Sequence, residues 1–113
     1  MITIWHNPRC SKSRQTLDLL KREGHNPVVR LYLDNPPSET ELRAAQSALG
    51  LPAISMMRTG EAAFKEQGLA KTDAETTLIS AMATTPKLIE RPVVFCGARA
   101  RIGRPPEAVM DIL

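Results

Sequence analysis

The chain has few aromatic residues and no long hydrophobic segment. Its 113 residues include one Trp, one Tyr and two Phe, too few to build a surface on which single-stranded bases stack. No apolar run approaches the roughly 18 residues that a membrane-spanning helix needs, and the N-terminus opens on a strand pattern instead of a signal sequence. We therefore expect a cytoplasmic protein that binds neither nucleic acid nor membrane.

Cysteine is also scarce, and the two residues present, Cys10 and Cys96, are far apart in the sequence. In the reducing cytoplasm two free thiols are expected instead of a disulfide. Neither cysteine belongs to a Cys-x-x-Cys pair, and no His-x-x-x-His spacing is present, so we expect no metal site. Cys96 closes an apolar run and is expected in the core, with a resolving role in thiol chemistry as the alternative.

The overall composition is that of an ordinary globular protein. Hydrophobic residues make up 42% of the chain and charged residues 24%, and neither repeats nor low-complexity segments interrupt them. A length of 113 residues is enough for one hydrophobic core, so we predict a single domain over residues 1–113. The formal net charge of +3 favours small anionic ligands but is modest beside the charge of nucleic-acid-binding proteins.

The first third of the sequence predicts a strand–helix–strand unit. The β-branched and aromatic run Ile2–Trp5 is followed by an Asn-Pro pair, which ends a strand. The segment 11–23 has an apolar face and is closed by Gly24, as expected of a helix. The run 28–33 predicts a second strand, and a unit of this length implies a parallel strand pair with a right-handed crossover.

Helices are predicted for the middle of the chain. Ser38 and Glu41 have the spacing of a capping box at the start of a helix, and Thr72 and Glu75 repeat that spacing. Proline and glycine residues divide this part of the chain into separate pieces. The predicted helical segments are 38–50, short pieces within 52–69, and 74–84.

The last part of the sequence predicts a hairpin and a final helix. Two strand-like runs, 92–96 and 98–102, flank Gly97 and are expected to pair as antiparallel strands. The segment Gly103–Glu107 contains two prolines and is expected to open the last helix. The predicted order is therefore βαβ, helices, ββα, which is an α/β fold with a four-stranded mixed sheet.

Cys10 is the residue for which the sequence indicates chemistry. It follows the first strand and directly precedes the first helix, so its sulfur is expected to face unpaired N–H groups and the positive end of the helix dipole. His6 and Arg14, together with Arg9 and Lys12, add positive charge nearby, and each effect favours the thiolate. The alternative for His6 is a hydrogen-bonded residue at the edge of the core.

A second thiol is missing beside Cys10. Ser13 occupies the fourth position of the run that starts at Cys10, where a redox dithiol has its second cysteine. We place Ser13 with His6 and Arg14 among the residues that tune the thiolate. Because no local disulfide can form, a mixed disulfide at Cys10 has to be released by an outside thiol or by Cys96.

Four motifs occur in a specific order along nearly the whole chain. They are His-Asn-Pro-x-Cys ending at Cys10, Leu-Tyr-Leu-x-Asn-Pro-Pro over 31–37, Arg-Pro-Val from Arg91, and Arg-Pro from Arg104. Together they resemble the glutaredoxin-dependent arsenate reductases, and the run Arg-Cys-Ser-Lys-Ser-Arg resembles the short subgroup of that family. The resemblance implies a thioredoxin-like fold with a helical insertion between its βαβ and ββα halves, and it implies that Pro92 is the cis-proline of that fold.

The resemblance also implies a site and a reaction. Arg58, Arg91 and Arg104 are expected to hold an oxyanion, because guanidinium groups bind tetrahedral oxyanions through paired hydrogen bonds. The alternative for Arg58 and Arg104 is a solvated surface charge. By resemblance, Cys10 attacks arsenate, glutathione acts as co-substrate in releasing arsenite, and glutaredoxin regenerates Cys10 from the mixed disulfide. No bound cofactor is expected, and the protein is expected to act as a monomer.

Two other functions fit the same residues. One is a redox-sensing regulator that resembles the Spx-like proteins, which share this fold and bind RNA polymerase, although such proteins usually have a dithiol where this chain has Cys10 and Ser13. The other is a deglutathionylating thiol oxidoreductase that is not specific for arsenate. That enzyme would need Cys10 but not the three arginines.

Overall fold

The computed structural model describes residues 1–113 and divides them into two compact units. Residues 1–35 and 91–113 form one unit, called here the sheet unit, and residues 36–90 form the other, called the helical unit. The single domain over residues 1–113 stays a prediction. None of the helices combines the length and the apolar composition that a membrane-spanning segment requires.

The sheet unit contains a four-stranded sheet and the first helix. The strand order is β2-β1-β3-β4, with β1 parallel to β2 and antiparallel to β3, and with β3 antiparallel to β4. The predicted α/β class and four-stranded mixed sheet are confirmed. The elements are β1 (Ile2–Trp5), α1 (Ser11–Arg22), β2 (Val28–Arg30), β3 (Val93–Cys96) and β4 (Arg99–Ile102).

The core of the sheet unit fixes the start of α1 relative to the sheet. Ile4 of β1 pairs with Val94 of β3, and both side chains are fully buried in one cluster with Leu20 of α1. Val109 and Ile112, near the end of the chain, complete this cluster. Burial of such side chains contributes about 1.5–3 kcal/mol each, so the loop between β1 and α1 is held at both ends by well-packed elements.

The second strand ends earlier than the sequence predicts. The run 28–33 is expected to be extended throughout, whereas β2 stops at Arg30. The Leu31 carbonyl accepts hydrogen bonds from the N–H groups of Asp34, at 3.0 Å, and Asn35, at 2.9 Å. These bonds turn the chain before its apolar run is finished, so the prediction of a strand as far as residue 33 is wrong.

The last predicted helix is a 3₁₀ helix, Pro106–Ile112. Pro105 and the proline after it have no N–H to donate, and the first turn closes with a hydrogen bond from Ala108 N–H to the Pro105 carbonyl at 3.0 Å. A bond between residues three apart is the 3₁₀ pattern. Arg99 Nη2 donates to the Ile112 carbonyl at 3.1 Å, which ties the end of this helix to β4.

The helical unit contains three α-helices and two 3₁₀ segments. The capping box predicted for its first helix is confirmed, because Ser38 Oγ accepts from Glu41 N–H at 3.1 Å and Glu41 Oε1 accepts from Ser38 N–H at 3.0 Å. The elements are α2 (Glu39–Leu49), a 3₁₀ segment (Ala53–Met56), α3 (Ala62–Glu66), α4 (Glu75–Thr84) and a second 3₁₀ segment (Pro86–Leu88).

The second predicted capping box is wrong. Helix α4 has Ala74 as its N-cap and no side-chain hydrogen bond there, so Thr72 does not cap it. The Glu75 carboxylate accepts hydrogen bonds from Ala53 N–H, at 3.0 Å, and from Gln46 Nε2, at 2.8 Å. These partners are distant in the sequence, so the carboxylate joins α4 to the preceding elements instead of closing its own first turn.

Candidate active site

Cys10 is the N-cap residue of α1. Its backbone is extended, with φ −94° and ψ 123°, and its carbonyl accepts the first hydrogen bond of the helix, from Arg14 N–H at 3.0 Å. Cys10 N–H donates to the Asn7 carbonyl, also at 3.0 Å, and this bond closes the loop between β1 and α1. The thiol is free and partly exposed, and it lies at the positive end of the α1 dipole.

The pKa of the Cys10 thiol is set by opposing effects. Burial, the largest of them, raises the pKa, but hydrogen bonds and charge outweigh it, and the pKa lies below its ordinary value. The groups that lower it are the Ser13 N–H, the Arg91 side chain, the Lys12 N–H and the positive charge of Arg104. Because the thiolate is the nucleophilic form, this arrangement increases the reactive fraction at neutral pH.

The two arginines near Cys10 come from the base of the β3–β4 hairpin. Arg91 precedes β3 and forms a cis peptide bond with Pro92, the proline that the resemblance singles out. Arg104 follows β4, and its Nη2 lies 3.6 Å from Cys10 Sγ while its Nε donates to the Arg91 carbonyl at 2.9 Å. A second cis bond, between Arg104 and Pro105, was not predicted. The hairpin therefore carries both guanidinium groups to the start of α1.

Gly103 allows α1 to approach this hairpin closely. A Cβ at this position would lie 2.6 Å from Thr16 Oγ1 and 2.8 Å from Pro92 Cγ, distances at which the neighbouring atoms would have to move. Thr16 is fully buried and its hydroxyl donates to the Lys12 carbonyl at 2.8 Å, so it has little freedom to move away. This role of Gly103 was not predicted from the sequence, although a glycine directly before a candidate site arginine was the available signal.

His6 and Ser13 form a buried pair beneath the loop that precedes α1. His6 Nδ1 lies 2.7 Å from Ser13 Oγ, and Asn7 N–H donates to the same oxygen at 3.0 Å. Burial lowers the pKa of His6, and the charges of Arg14 and Lys21 lower it further, so the ring is neutral at pH 7. Two roles were expected for His6, a positive charge near Cys10 or a hydrogen-bonded residue at the edge of the core. The structure shows the second, because the buried ring is hydrogen-bonded to Ser13 and holds it in place.

The other predicted site residues, Arg14 and Arg58, lie in different units. Arg14 Nη1 donates to the Pro8 carbonyl at 2.9 Å and braces the loop before α1 from its exposed side. Arg58 belongs to the helical unit, where it follows Met57, whose backbone pairs with that of Ile89. The role of Arg58 in binding an oxyanion stays a prediction.

Cys96 lies at the opposite end of β3 from the site. The register of the β1–β3 pair places Cys96 opposite Ile2 and Val93 opposite Trp5, and Cys10 follows the Trp5 end of β1. Three residues of strand span about 10 Å. Cys96 packs against the core cluster of the sheet unit, so a resolving role would require its end of the sheet to rearrange.

A cleft of about 290 Å³, which the sequence analysis did not predict, lies beside the loop between β1 and α1. One wall is this loop. The other wall is the turn after β2, which belongs to the run 28–33 that was predicted to be a strand. We call it the β2-side cleft. Its lining residues are His6, Asn7, Pro8, Arg9, Leu31, Leu33 and Asp34.

The fold and the site together define a class of protein. The sheet has the strand order β2-β1-β3-β4, a cysteine of lowered pKa starts the helix after β1, and a cis-proline precedes β3. These are the features of a thioredoxin-like protein, here with one cysteine at the start of its first helix. Within that class the chain belongs to the ArsC family, whose sequence model matches residues 5–112.

The relatives of this chain cover its full length. The Escherichia coli K12 protein with the name uncharacterized protein YfgD is 49% identical over 114 residues, which are 99% of this chain and 96% of the relative. An arsenate reductase of Haemophilus influenzae is 43% identical over 99% of this chain and 98% of its own length. The solved structure of an arsenate reductase from Vibrio cholerae superposes with a TM-score of 0.96 at 48% identity, covering 99% of this chain and 97% of that one.

Proposed function

We propose that this protein is a cytoplasmic arsenate reductase in which Cys10 is the nucleophile and glutathione is the thiol co-substrate. The observation that carries the proposal is a thiol of lowered pKa beside two guanidinium groups, those of Arg91 and Arg104. A nucleophile between fixed cations suits a substrate that is both anionic and electrophilic. The names of the relatives support arsenate as that substrate.

In the first step, Arg91 and Arg104 hold oxygens of arsenate while the Cys10 thiolate attacks arsenic. A bond forms between Cys10 Sγ and arsenic, and one arsenate oxygen takes up protons from solvent and leaves as water. Arsenic remains pentavalent. The two guanidinium groups neutralise the anion as the negatively charged sulfur approaches it, and this favours a reaction between two species of like charge.

In the second step, the thiolate of glutathione attacks Cys10 Sγ. A disulfide bond forms between the two sulfurs, the bond from sulfur to arsenic breaks, and its electron pair stays on arsenic. Arsenic is reduced from the +5 to the +3 state and leaves as arsenite, while the two sulfurs are oxidised to the disulfide. Because Ser13 stands where a second cysteine would be needed, release of Cys10 falls to an outside thiol.

Glutaredoxin is proposed to complete the cycle by taking the glutathionyl group from Cys10, which returns the thiolate. Arg58 is proposed as the third arginine of the oxyanion site, on the resemblance of the sequence motifs, and the protein is proposed to act as a monomer. Glutathione is consumed as a co-substrate and glutaredoxin is recycled as a separate protein, so the proposal includes no bound cofactor.

The proposal is tested by measuring arsenite formed from arsenate, glutathione and glutaredoxin. We expect turnover by the wild type and by Cys96→Ser, none by Cys10→Ser, and a raised KM for arsenate in Arg104→Gln. A wild type that forms no arsenite, or a Cys10→Ser variant that does, would refute the proposal. Reduction of glutathione mixed disulfides that does not depend on Arg91 and Arg104 would indicate the deglutathionylating enzyme instead.

A further inference from the structure

The β2-side cleft has no part in the reaction steps described so far. Two of its lining residues are polar and more than nine-tenths buried, since His6 is 6% exposed and Asn7 is 8% exposed. Their remaining donors are not sealed off from solvent, because the buried side-chain atoms without a hydrogen-bond partner do not include Asn7 Nδ2 or His6 Nε2. Donors that open onto a cleft without a partner in the protein are available to a ligand.

Both residues have an N–H group without an acceptor in the protein. Arg9 N–H donates to Asn7 Oδ1 at 3.0 Å, which fixes the orientation of the amide and leaves Nδ2 unpaired. Ser13 Oγ accepts the Asn7 N–H, and His6 Nδ1 is the only acceptor among the hydrogen-bond partners of this fully buried hydroxyl, so we assign the Ser13 hydrogen to that nitrogen. The proton of the neutral ring is then on Nε2, which is a second donor without a partner.

The remaining lining residues define the kind of ligand that these donors fit. Two N–H donors and the guanidinium group of Arg9 suit a carboxylate, which accepts several hydrogen bonds. Asp34 in the same cleft repels a small dianion such as arsenate and suits an amino group on the same ligand. Leu31 and Leu33 offer apolar walls for short aliphatic segments. These features together fit a small peptide.

We propose that the β2-side cleft binds a carboxylate of glutathione and thereby positions its thiol for attack on Cys10, an inference that rests on the function proposed above. The strand order supports it, because Cys10 follows β1, Arg91 and Arg104 come from the β3–β4 side, and the cleft lies on the β2 side. In a displacement at sulfur, the attacking and the leaving atoms approach and depart on opposite sides. Arsenic on the β3–β4 side and glutathione on the β2 side meet this requirement.

The distance from the cleft to Cys10 is within the reach of glutathione. Cys10 N–H bonds to the Asn7 carbonyl at 3.0 Å, and the ends of such a four-residue turn lie within about 7 Å of each other. An extended tripeptide spans about 10 Å. Glutathione first loses its thiol proton to solvent, and the resulting thiolate attacks Cys10 Sγ. The disulfide bond then forms, the bond between Cys10 Sγ and arsenic breaks, and its electron pair leaves with arsenite.

Asn7→Asp is the sharpest variant for this proposal. Aspartate keeps the oxygen that accepts Arg9 N–H and replaces the unpaired amide nitrogen with a second oxygen, so a donor becomes a repelling acceptor at constant size. Arg22→Gln is the matched control, because it lowers the net charge by the same one unit at the far end of α1. Arg9→Gln, whose side chain is exposed, replaces Asn7→Asp if the aspartate variant does not fold.

Binding is measured by NMR titration of the ¹⁵N-labelled protein with S-methylglutathione, which cannot form a disulfide. We expect the amide signals of Arg9 and Asp34 to shift in the wild type and in Arg22→Gln, and we expect Asn7→Asp to bind about tenfold more weakly or worse. An absence of shifts at these amides, or equal affinity of Asn7→Asp and Arg22→Gln, would overturn the proposal.

Two truncated ligands identify which carboxylate is bound. Weaker binding of S-methyl-γ-glutamylcysteine indicates the glycine carboxylate, and weaker binding of S-methylcysteinylglycine indicates the γ-glutamyl carboxylate. If both bind as well as S-methylglutathione, the cleft does not recognise a carboxylate and the proposal is wrong. The arsenate assay separates the two proposals. If the wild type forms no arsenite, the proposed reductase activity is refuted, and the titration still shows whether the β2-side cleft binds glutathione.

Discussion

Gly103→Ala tests whether close packing between α1 and the β3–β4 hairpin holds Arg104 in place. The added Cβ would lie 2.6 Å from Thr16 Oγ1 and 2.8 Å from Pro92 Cγ, and overpacking of this kind costs about 1–3 kcal/mol. Gly103 does not have a left-handed backbone, so loss of chain entropy in the unfolded state offsets about 0.4–1 kcal/mol of that cost. We therefore expect a net loss of about 1 kcal/mol in the free energy of unfolding, within a range of roughly 0–2.6 kcal/mol.

Gly60→Ala is the matched control for this variant. A Cβ at position 60 meets nothing within 4 Å, and Gly60 also lacks a positive φ, so this change should be neutral or stabilising by up to about 1 kcal/mol. Urea unfolding followed by the fluorescence of Trp5, the single tryptophan, measures both variants. Equal stability of Gly103→Ala and Gly60→Ala would refute the packing argument.

Three further predictions concern the thiol and its support. Arg104→Gln removes a charge that lowers the pKa of Cys10, so alkylation by iodoacetamide should require a higher pH than in the wild type, and an unchanged pH profile would contradict this. Because the pKa of Cys10 is lowered in the folded state, its thiolate adds stability that is fully present above the ordinary thiol pKa and is lost as the pH falls through the folded pKa. Cys10→Ser should abolish that pH dependence of the unfolding free energy. Ser13→Ala leaves His6 Nδ1 and a buried backbone N–H without their shared partner, which should cost about 1–3 kcal/mol in urea unfolding, and a loss below a few tenths of a kcal/mol would argue against the buried pair.

Local sequence patterns were sufficient where a feature depends on neighbours in the chain. The strand Ile2–Trp5, the helix that starts at Ser11 and the capping box of Ser38 and Glu41 each depend on residues within one or two turns. The position of Cys10 at a helix start follows from the same local order. These predictions are confirmed because burial and capping act in the same direction there.

Tertiary partners decided the features that the sequence analysis missed. The carboxylate of Glu75 has the spacing of a capping residue, yet Gln46 and Ala53 supply its partners. For His6 the sequence left two roles open, and burial, which lowers its pKa, decides for the neutral, hydrogen-bonded one. The run that ends at Leu33 is apolar enough for a strand, but a turn interrupts it and forms one wall of the β2-side cleft. None of these outcomes is visible in residue spacing alone.

The most direct measurement of the central claim is a single turnover with arsenate and glutathione in the absence of glutaredoxin. Protein mass spectrometry and arsenite analysis are carried out on the same sample. A nucleophilic Cys10 without a neighbouring thiol predicts one glutathione per protein, attached at Cys10, and one arsenite released per adduct. Glutathione attached at Cys96, or arsenite formed in excess of protein without any adduct, would contradict the account.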